Sequence, residues 1–229
     1  MIRHDDVLRR IGRDDLVLDV GGWAKPVPRA DWVIDLMPYE SRGLYGEEDR
    51  EGERFTDATW VVRDICSHEP FPFADDQFDF AVCSHTLEDI RDPIWVCREL
   101  SRVARAGYVE VPSRLDEQSE GVHGPWVGWS HHRWLVNSAG DGLEFIAKPH
   151  VLHGAPRFRL SRRQAAELTA EERVLPLFWD RELPAAERVF LEAGELDAEL
   201  ERPVREWGPI LDARNPPSLG DRVRARLRG

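Results

Sequence analysis

Residues 16–22 read LVLDVGG: a short apolar run with one acid inside it, closed by a glycine pair. A run this short, continuous and rich in Val and Leu reads as a strand buried on both faces. The glycines let the backbone turn with positive φ and approach a ligand closely. The next apolar run, WVID at 32–35, ends in a second acid, Asp35, fourteen residues after Gly21. A glycine turn after one parallel strand and a carboxylate after the next is how a nucleoside is gripped at the carboxyl ends of a sheet. The run continues Trp23-Ala24-Lys25-Pro26, so it is not the GxGxxG pattern. By themselves the glycines also suit a structural turn, and Asp35 also suits a solvated acid or a helix cap.

Working outward, four further apolar runs read as strands: 32–35, 60–64 (WVVRD), 78–83 (FDFAVC) and 107–111 (GYVEV). Residues 93–105 read as a helix, with Asp92 as N-cap, Pro93 at its first position, Gly107 just past its end, and Val96, Leu100 and Val103 as an inward stripe. The crossover from Val20 to Trp32 is odd, because residues 21–31 are few for a parallel crossover and contain Pro26 and Pro28. A helix is not expected there, and the loop backbone has to do the binding. Residues 36–59 are polar and acidic with few core-grade residues, and read as a mobile loop or weak helix. The Gly140-Asp141-Gly142 turn within 132–150 predicts an antiparallel hairpin. Five parallel strands plus that hairpin give an α/β fold: a Rossmann-like, doubly wound, mostly parallel sheet of seven strands. Beyond it come a helix after Ser161, an apolar run at 175–179 and a charged segment at 185–206. The expected division is a core over 1–154 and a C-terminal extension over 155–229 that makes substrate or oligomer contacts.

The bulk numbers exclude several classes. The 229 residues are 41% hydrophobic and 32% charged, which suits a soluble globular chain. A net charge of −12 argues against a nucleic-acid partner, whose affinity needs clustered cations. The locally basic stretch 220–229 reads as a solvated tail, with an anionic partner as the alternative. Cys66, Cys83 and Cys97 have no CxxC spacing, so neither a disulfide framework nor a thiolate metal site is expected and a reducing cytoplasm is the simplest compartment. No stretch approaches 18 apolar residues and no signal peptide is expected, so no membrane partner is either.

One resemblance is specific. Asp64, Phe71-Pro72-Phe73, Gln77-Phe78-Asp79, Ser84-His85-Thr86-Leu87-Glu88, Asp92-Pro93, Arg98-Glu99, Arg102-Val103 and Gly107 to Pro112 follow one another in order. Over about 16–138 this resembles the class I S-adenosylmethionine-dependent methyltransferases of the small-molecule type (methyltransferase type 11-like), including a short proline-bearing first loop like PRADWVID at 28–35. The resemblance implies S-adenosylmethionine as cofactor. It places Gly21 and Gly22 near the methionine end, Asp35 with Leu36 at the ribose, Asp64 and Ile65 beside the adenine, and Ser84 and His85 facing the sulfonium. Asp19 would support the loop or meet the cofactor's ammonium. The sequence departs from the pattern at Asp89, where the family often has His, and at Trp23 and Lys25, which crowd the first loop.

The implied reaction is transfer of a methyl group to O or N of a small-molecule or sugar-like acceptor. A hydroxyl acceptor needs a base. His132, His85 and His131 are the candidates, His132 lying in the element His132-Arg133-Trp134 that the resembling subgroup shares, with His123 in the same loop. Trp126, Trp129 and Trp134 suit either a flat or cationic acceptor or packing under that loop. The spacings of His123, His131, His132, His150 and His153 match no metal signature, and no metal is expected. The competing readings are an NAD-dependent Rossmann oxidoreductase, against which the missing third glycine weighs, and a non-catalytic cofactor-binding relative. A second copy of the chain, as a homodimer, is a candidate partner.

Overall fold

The computed structural model describes residues 4–43 and 52–216, which divide into two compact units. The first takes in the described residues up to Val111, together with His132–Ala147 and Leu175–Arg188; the second holds Pro112–His131, Lys148–Val174 and the described residues from Val189 onward. The chain thus passes between units several times instead of dividing once at residue 154. The basic stretch 220–229 lies outside the described residues.

In the first unit, strands β1 (Val17–Val20), β2 (Trp32–Asp35), β3 (Trp60–Val62), β4 (Phe80–Ser84), β5 (Ala106–Pro112) and β8 (Val174–Asp180) form a six-stranded sheet in the order β3-β2-β1-β4-β5-β8. Only the end residues Pro112 and Val174 of these strands fall to the second unit. The pairings β1–β2, β2–β3, β1–β4 and β4–β5 are all parallel. Helix α1 (His4–Arg10) precedes the sheet and α2 (Pro93–Val103) connects β4 to β5. Alternating side chains go to opposite faces, as a pleated strand requires. Leu18, Val20, Ile34, Ala81, Cys83, Val109 and Val111 join a core with Val96, Leu100 and Val103 of α2. Val17, Val33, Phe80, Val82 and Tyr108 join a second core with Val7 and Ile11. Both faces are therefore dry, which explains the continuous apolar runs.

The strand count differs from seven in one sheet. Strands β6 (Trp134–Ala139) and β7 (Gly142–Ala147) form the expected antiparallel hairpin, with Gly140 at φ +63° in its turn. That hairpin makes a separate three-stranded sheet with β9 (Ala185–Glu187), which runs parallel to β7. Its Val136, Leu143 and Phe145 are buried in the same core as α2. The place beside β5 goes to β8, whose apolar run at 175–179 was not read as a strand. Gly107 makes room for it: a Cβ there would lie 2.5 Å from the Trp179 ring and 2.4 Å from the Ala81 carbonyl oxygen.

Helix α2 begins where expected, with the Asp92 carboxylate accepting the Trp95 N–H at 2.9 Å. The segment 21–31 holds no helix, as Pro26 and Pro28 predict. Residues 36–43 are better anchored than a mobile loop. Trp23 Nε1 donates to the Ser41 carbonyl at 2.7 Å, and the Tyr39, Phe55 and Trp60 rings contact one another at 5.7–6.4 Å. Phe55 is fully buried, so the stretch does contribute to the core. Residues 44–51 lie outside the described residues.

The second unit comprises α3 (Arg114–Glu117), α4 (Val151–Gly154), α5 (Arg162–Ala165) and the long α6 (Glu195–Arg214). The helix expected after Ser161 is α5, capped by Ser161 and Gln164 reciprocally. Leu115, Leu160, Leu168 and Leu211 form its small core with Val204 and Trp207. Arg114 pairs with Glu199 at 2.9 Å while Gln118 donates to the Phe158 and Leu200 carbonyls. Among the described residues no helix is long and apolar enough to cross a membrane.

Phe78 is fully buried and meets Phe73 edge-on at 4.9 Å. Truncating it removes an aromatic side chain from close packing, so Phe78→Ala should lower unfolding free energy by about 3–5 kcal/mol. Urea denaturation followed by tryptophan fluorescence measures the loss.

Candidate cofactor site

Strand order reverses between β1 and β4: β2 and β3 lie on one side of β1, while β4 and β5 lie on the other. In open parallel sheets that reversal leaves a crevice outside the strands' carboxyl ends. Gly21 follows β1 with φ +76°, and its N–H donates to the Ile34 carbonyl of β2 at 2.9 Å. A Cβ on Gly21 would lie 2.2 Å from Thr86 Oγ1, which itself donates to the Gly21 carbonyl at 3.3 Å. The turn is thus pressed between the ends of β2 and β4, and only glycine fits both the conformation and the space.

With no helix behind it, the loop is held by carboxylates. Asp19, almost wholly buried, accepts the Val27 N–H at 2.7 Å. It also fills the space beside Gly22, where a Cβ would lie 2.5 Å from Asp19 Oδ2. Burial, with Asp35 nearby, pushes the Asp19 pKa up from 3.8 to about 7, although the Val27 hydrogen bond opposes this. Asp35 accepts the Trp23 N–H at 3.0 Å on one oxygen and the Met37 N–H at 2.8 Å on the other. Burial raises its pKa too, and those backbone donors pull it back in part. Leu36, the neighbour of Asp35, is 63% exposed.

Asp64, after β3, is half-exposed. One oxygen accepts the Cys66 N–H at 2.9 Å and the other takes Arg91 Nη2 at 2.7 Å. The Arg91 guanidinium holds its carboxyl below the usual carboxylate range. Ile65, expected to cover a base, is buried in the main core instead. Ser84 ends β4, and its buried hydroxyl oxygen has no hydrogen-bond partner.

His85 follows in the left-handed region at φ +50°, a conformation that costs a non-glycine residue energy and often marks a functional position. Its N–H donates to the Glu110 carbonyl at 2.8 Å, and Nε2 lies 3.2 Å from the Glu110 carboxylate. Nδ1 lies 3.6 Å from Glu88, a buried side chain whose oxygens make no hydrogen bond. Burial alone would push the His85 pKa down, but Glu110 and Glu88 outweigh it and hold the imidazole at about 9. Glu110 also accepts the Tyr108 hydroxyl at 2.6 Å. His85 is therefore an imidazolium at neutral pH, a donor and not the proton acceptor that a base must be.

Beside Arg133, whose N–H donates to the Glu88 carbonyl at 2.7 Å, comes His132. Its side chain is nearly buried, and Nε2 is 3.8 Å from Asp89 Oδ1, so an acid and an imidazole meet where the sequence has Leu-Glu-Asp. His131 belongs to the second unit, where its exposed ring meets His123 at 5.7 Å and Trp129 at 6.0 Å. Trp129 donates to Asp116 at 2.9 Å, and Trp126 is half-exposed. Sequence reasoning missed the roles of Thr86, Arg91, Glu88 and Glu110. Glu88 and Glu110 stood inside quoted motifs, whereas nothing local marked Arg91.

These residues fit an S-adenosylmethionine nucleoside. Each carboxylate oxygen of Asp35 takes one backbone donor and has capacity for a second. Ser84 leaves a buried hydroxyl without a partner, and Leu36 offers an apolar surface beside the acid.

Two titrations should be visible in stability. Asp19 has a higher pKa folded than unfolded, so stability falls as pH rises from about 4 to about 7. His85 has the same sense, so the stability it adds is complete below about 6.5 and lost as pH rises through about 9. Thermal midpoints measured across pH 4–10 should show both declines. Asp19→Asn should flatten the first and His85→Asn the second.

Residues 34–109 match the family described as Methyltransferase domain. No curated protein matches the chain. Solved structures that the chain matches include a Bacillus halodurans C-125 protein taken for a methyltransferase, at 18% identity and a TM-score of 0.38, covering 48% of this chain and 51% of that one. A SAM-dependent methyltransferase from Aquifex aeolicus matches at 20% identity and a TM-score of 0.35, covering 49% of this chain and 65% of that one. One from Methanosarcina mazei matches at 21% identity and a TM-score of 0.35, covering 52% and 59%. The chain spans about half the length of the first of these. Over residues 34–109, a third of its length, the chain is thus similar to a methyltransferase domain.

Proposed function

We propose that this protein transfers the methyl group of S-adenosylmethionine to an oxygen or nitrogen of a small-molecule or sugar-like acceptor. The observation that carries the reading is the convergence of Gly21, Asp35 and Ser84 on the ends of β1, β2 and β4, where the strand order reverses. Bound S-adenosylmethionine supplies an electrophilic methyl on a positively charged sulfur. Asp35 holds the ribose hydroxyls, and the Gly21-Gly22 backbone lies against the methionine end. The His85 imidazolium, fixed by Glu110, orients the acceptor by donating a hydrogen bond. Methyl transfer draws most of its acceleration from such positioning.

A hydroxyl acceptor also has to lose a proton, and this reading gives that step to His132. Its Nε2 lies 3.8 Å from Asp89 Oδ1, close enough for the acid to orient the ring.

The competing nicotinamide reading is separated by binding. S-adenosylhomocysteine should raise the thermal midpoint and NAD should not; the reverse result would sink the methyltransferase reading. Asp35→Ala should weaken S-adenosylhomocysteine at least tenfold by calorimetry. His132→Ala should leave that affinity unchanged. With an acceptor found by screening hydroxyl- and amine-bearing compounds for S-adenosylhomocysteine release, the same variant should lower kcat by about 10²–10⁴-fold. Unchanged turnover removes His132 as the base.

A further inference from the structure

The ion pair between Arg91 and Asp64 is open to solvent, with side chains 61% and 40% exposed. Pairs of that kind add about 0–1 kcal/mol to stability, so holding the fold together is a poor account of it. Its geometry is more informative. Asp64 Oδ1 is fixed by the Cys66 N–H in a tight turn, which aims the carboxylate. Arg91 Nη2 donates both to Asp64 Oδ2 at 2.7 Å and to the Cys66 carbonyl at 3.3 Å. The guanidinium is thus anchored at one nitrogen, while Nε and Nη1 make no hydrogen bond among the described residues. A second strap holds the same two segments together: His68 Nε2 lies 2.9 Å from Asp92 Oδ2 and its ring stacks on Trp95 at 5.1 Å. The end of β3 therefore presents an acceptor and a set of planar donors side by side, on an anchored scaffold.

Adenine offers the complement. Its exocyclic amine is a donor and the adjacent ring nitrogen an acceptor, whereas a 6-oxo purine presents an acceptor at position 6. Asp64 is already placed beside the adenine by the family resemblance; we propose that Arg91, anchored on it, reads the same purine edge by donating to a ring nitrogen. Arg91 is then a specificity-determining residue of the cofactor site, an inference that rests on the S-adenosylmethionine reading above. Lysine cannot replace it, because a point charge lacks the fixed planar donors.

Calorimetric titration with S-adenosylhomocysteine and with its 6-oxo analogue, S-inosylhomocysteine, tests the proposal on the full chain. Wild-type protein should prefer the adenine compound by tenfold or more. Arg91→Ala and Arg91→Lys should each weaken S-adenosylhomocysteine about fivefold and shrink that preference, with thermal midpoints near wild type. Asp64→Asn, which can both accept and donate, should shrink or reverse it. If Arg91→Ala binds S-adenosylhomocysteine with unchanged preference, or more tightly, the proposal is overturned and Arg91 only competes for Asp64. If the wild-type protein binds neither compound, the cofactor reading itself fails, and the inference falls with it.

Discussion

Two buried carboxylates, Asp19 and Asp35, accept the amide N–H groups of Val27 and Trp23 and thereby shape the turn between β1 and β2. A parallel crossover commonly spends its polar backbone groups in a helix. Here Pro26 and Pro28 remove that option, and the orphaned amides turn to side chains on the strands instead. The cost is electrostatic, since burial raises the pKa of both acids. The return is a turn locked at both ends, with Gly21 wedged against Thr86 so that β1, β2 and β4 finish at fixed distances from one another. The glycine turn, the Asp35 carboxylate and the end of β4 all take their positions from those two acids.

The charge at the end of β4 is arranged differently. His85 sits in a strained backbone conformation, and Glu110 and Glu88 keep it protonated. Glu110 in turn is satisfied by Tyr108 and the imidazolium, which is why its pKa is lowered despite burial. A protonated imidazole donates a hydrogen bond, and in the proposed function it orients the acceptor while proton removal falls to His132.

Much of the fold was legible in the chain. The runs at 16–20, 32–35, 60–64, 78–83 and 107–111 all contain strands, because strands buried on both faces must be almost wholly apolar. The helix at 93–103 was legible through Asp92, Pro93 and its inward stripe. The separate small sheet was not, because a hairpin's sequence specifies its own turn and pattern but not which edge it joins. Strand β8 was missed since LPLFW has no flanking punctuation, and its partner β5 lies more than sixty residues earlier.

The site divides the same way. Gly21, Gly22, Asp35 and Asp64 stood out from their positions at or just after strand ends, since a strand's polarity fixes where its last residue lies, whereas Asp19 and Ser84 came from the family resemblance. Residue order also excluded a helix from the first crossover. Only the folded chain decided the state of those groups: that Asp35 already carries two backbone donors, that Ile65 faces the core, that Asp64 is paired with Arg91, and that His85 is an imidazolium. Each of these depends on partners brought in from tens of residues away, and on a burial that a linear chain does not possess. Sequence determined which chemical groups arrive at the strand ends; tertiary structure decided their protonation and which of their hydrogen bonds remain to be made.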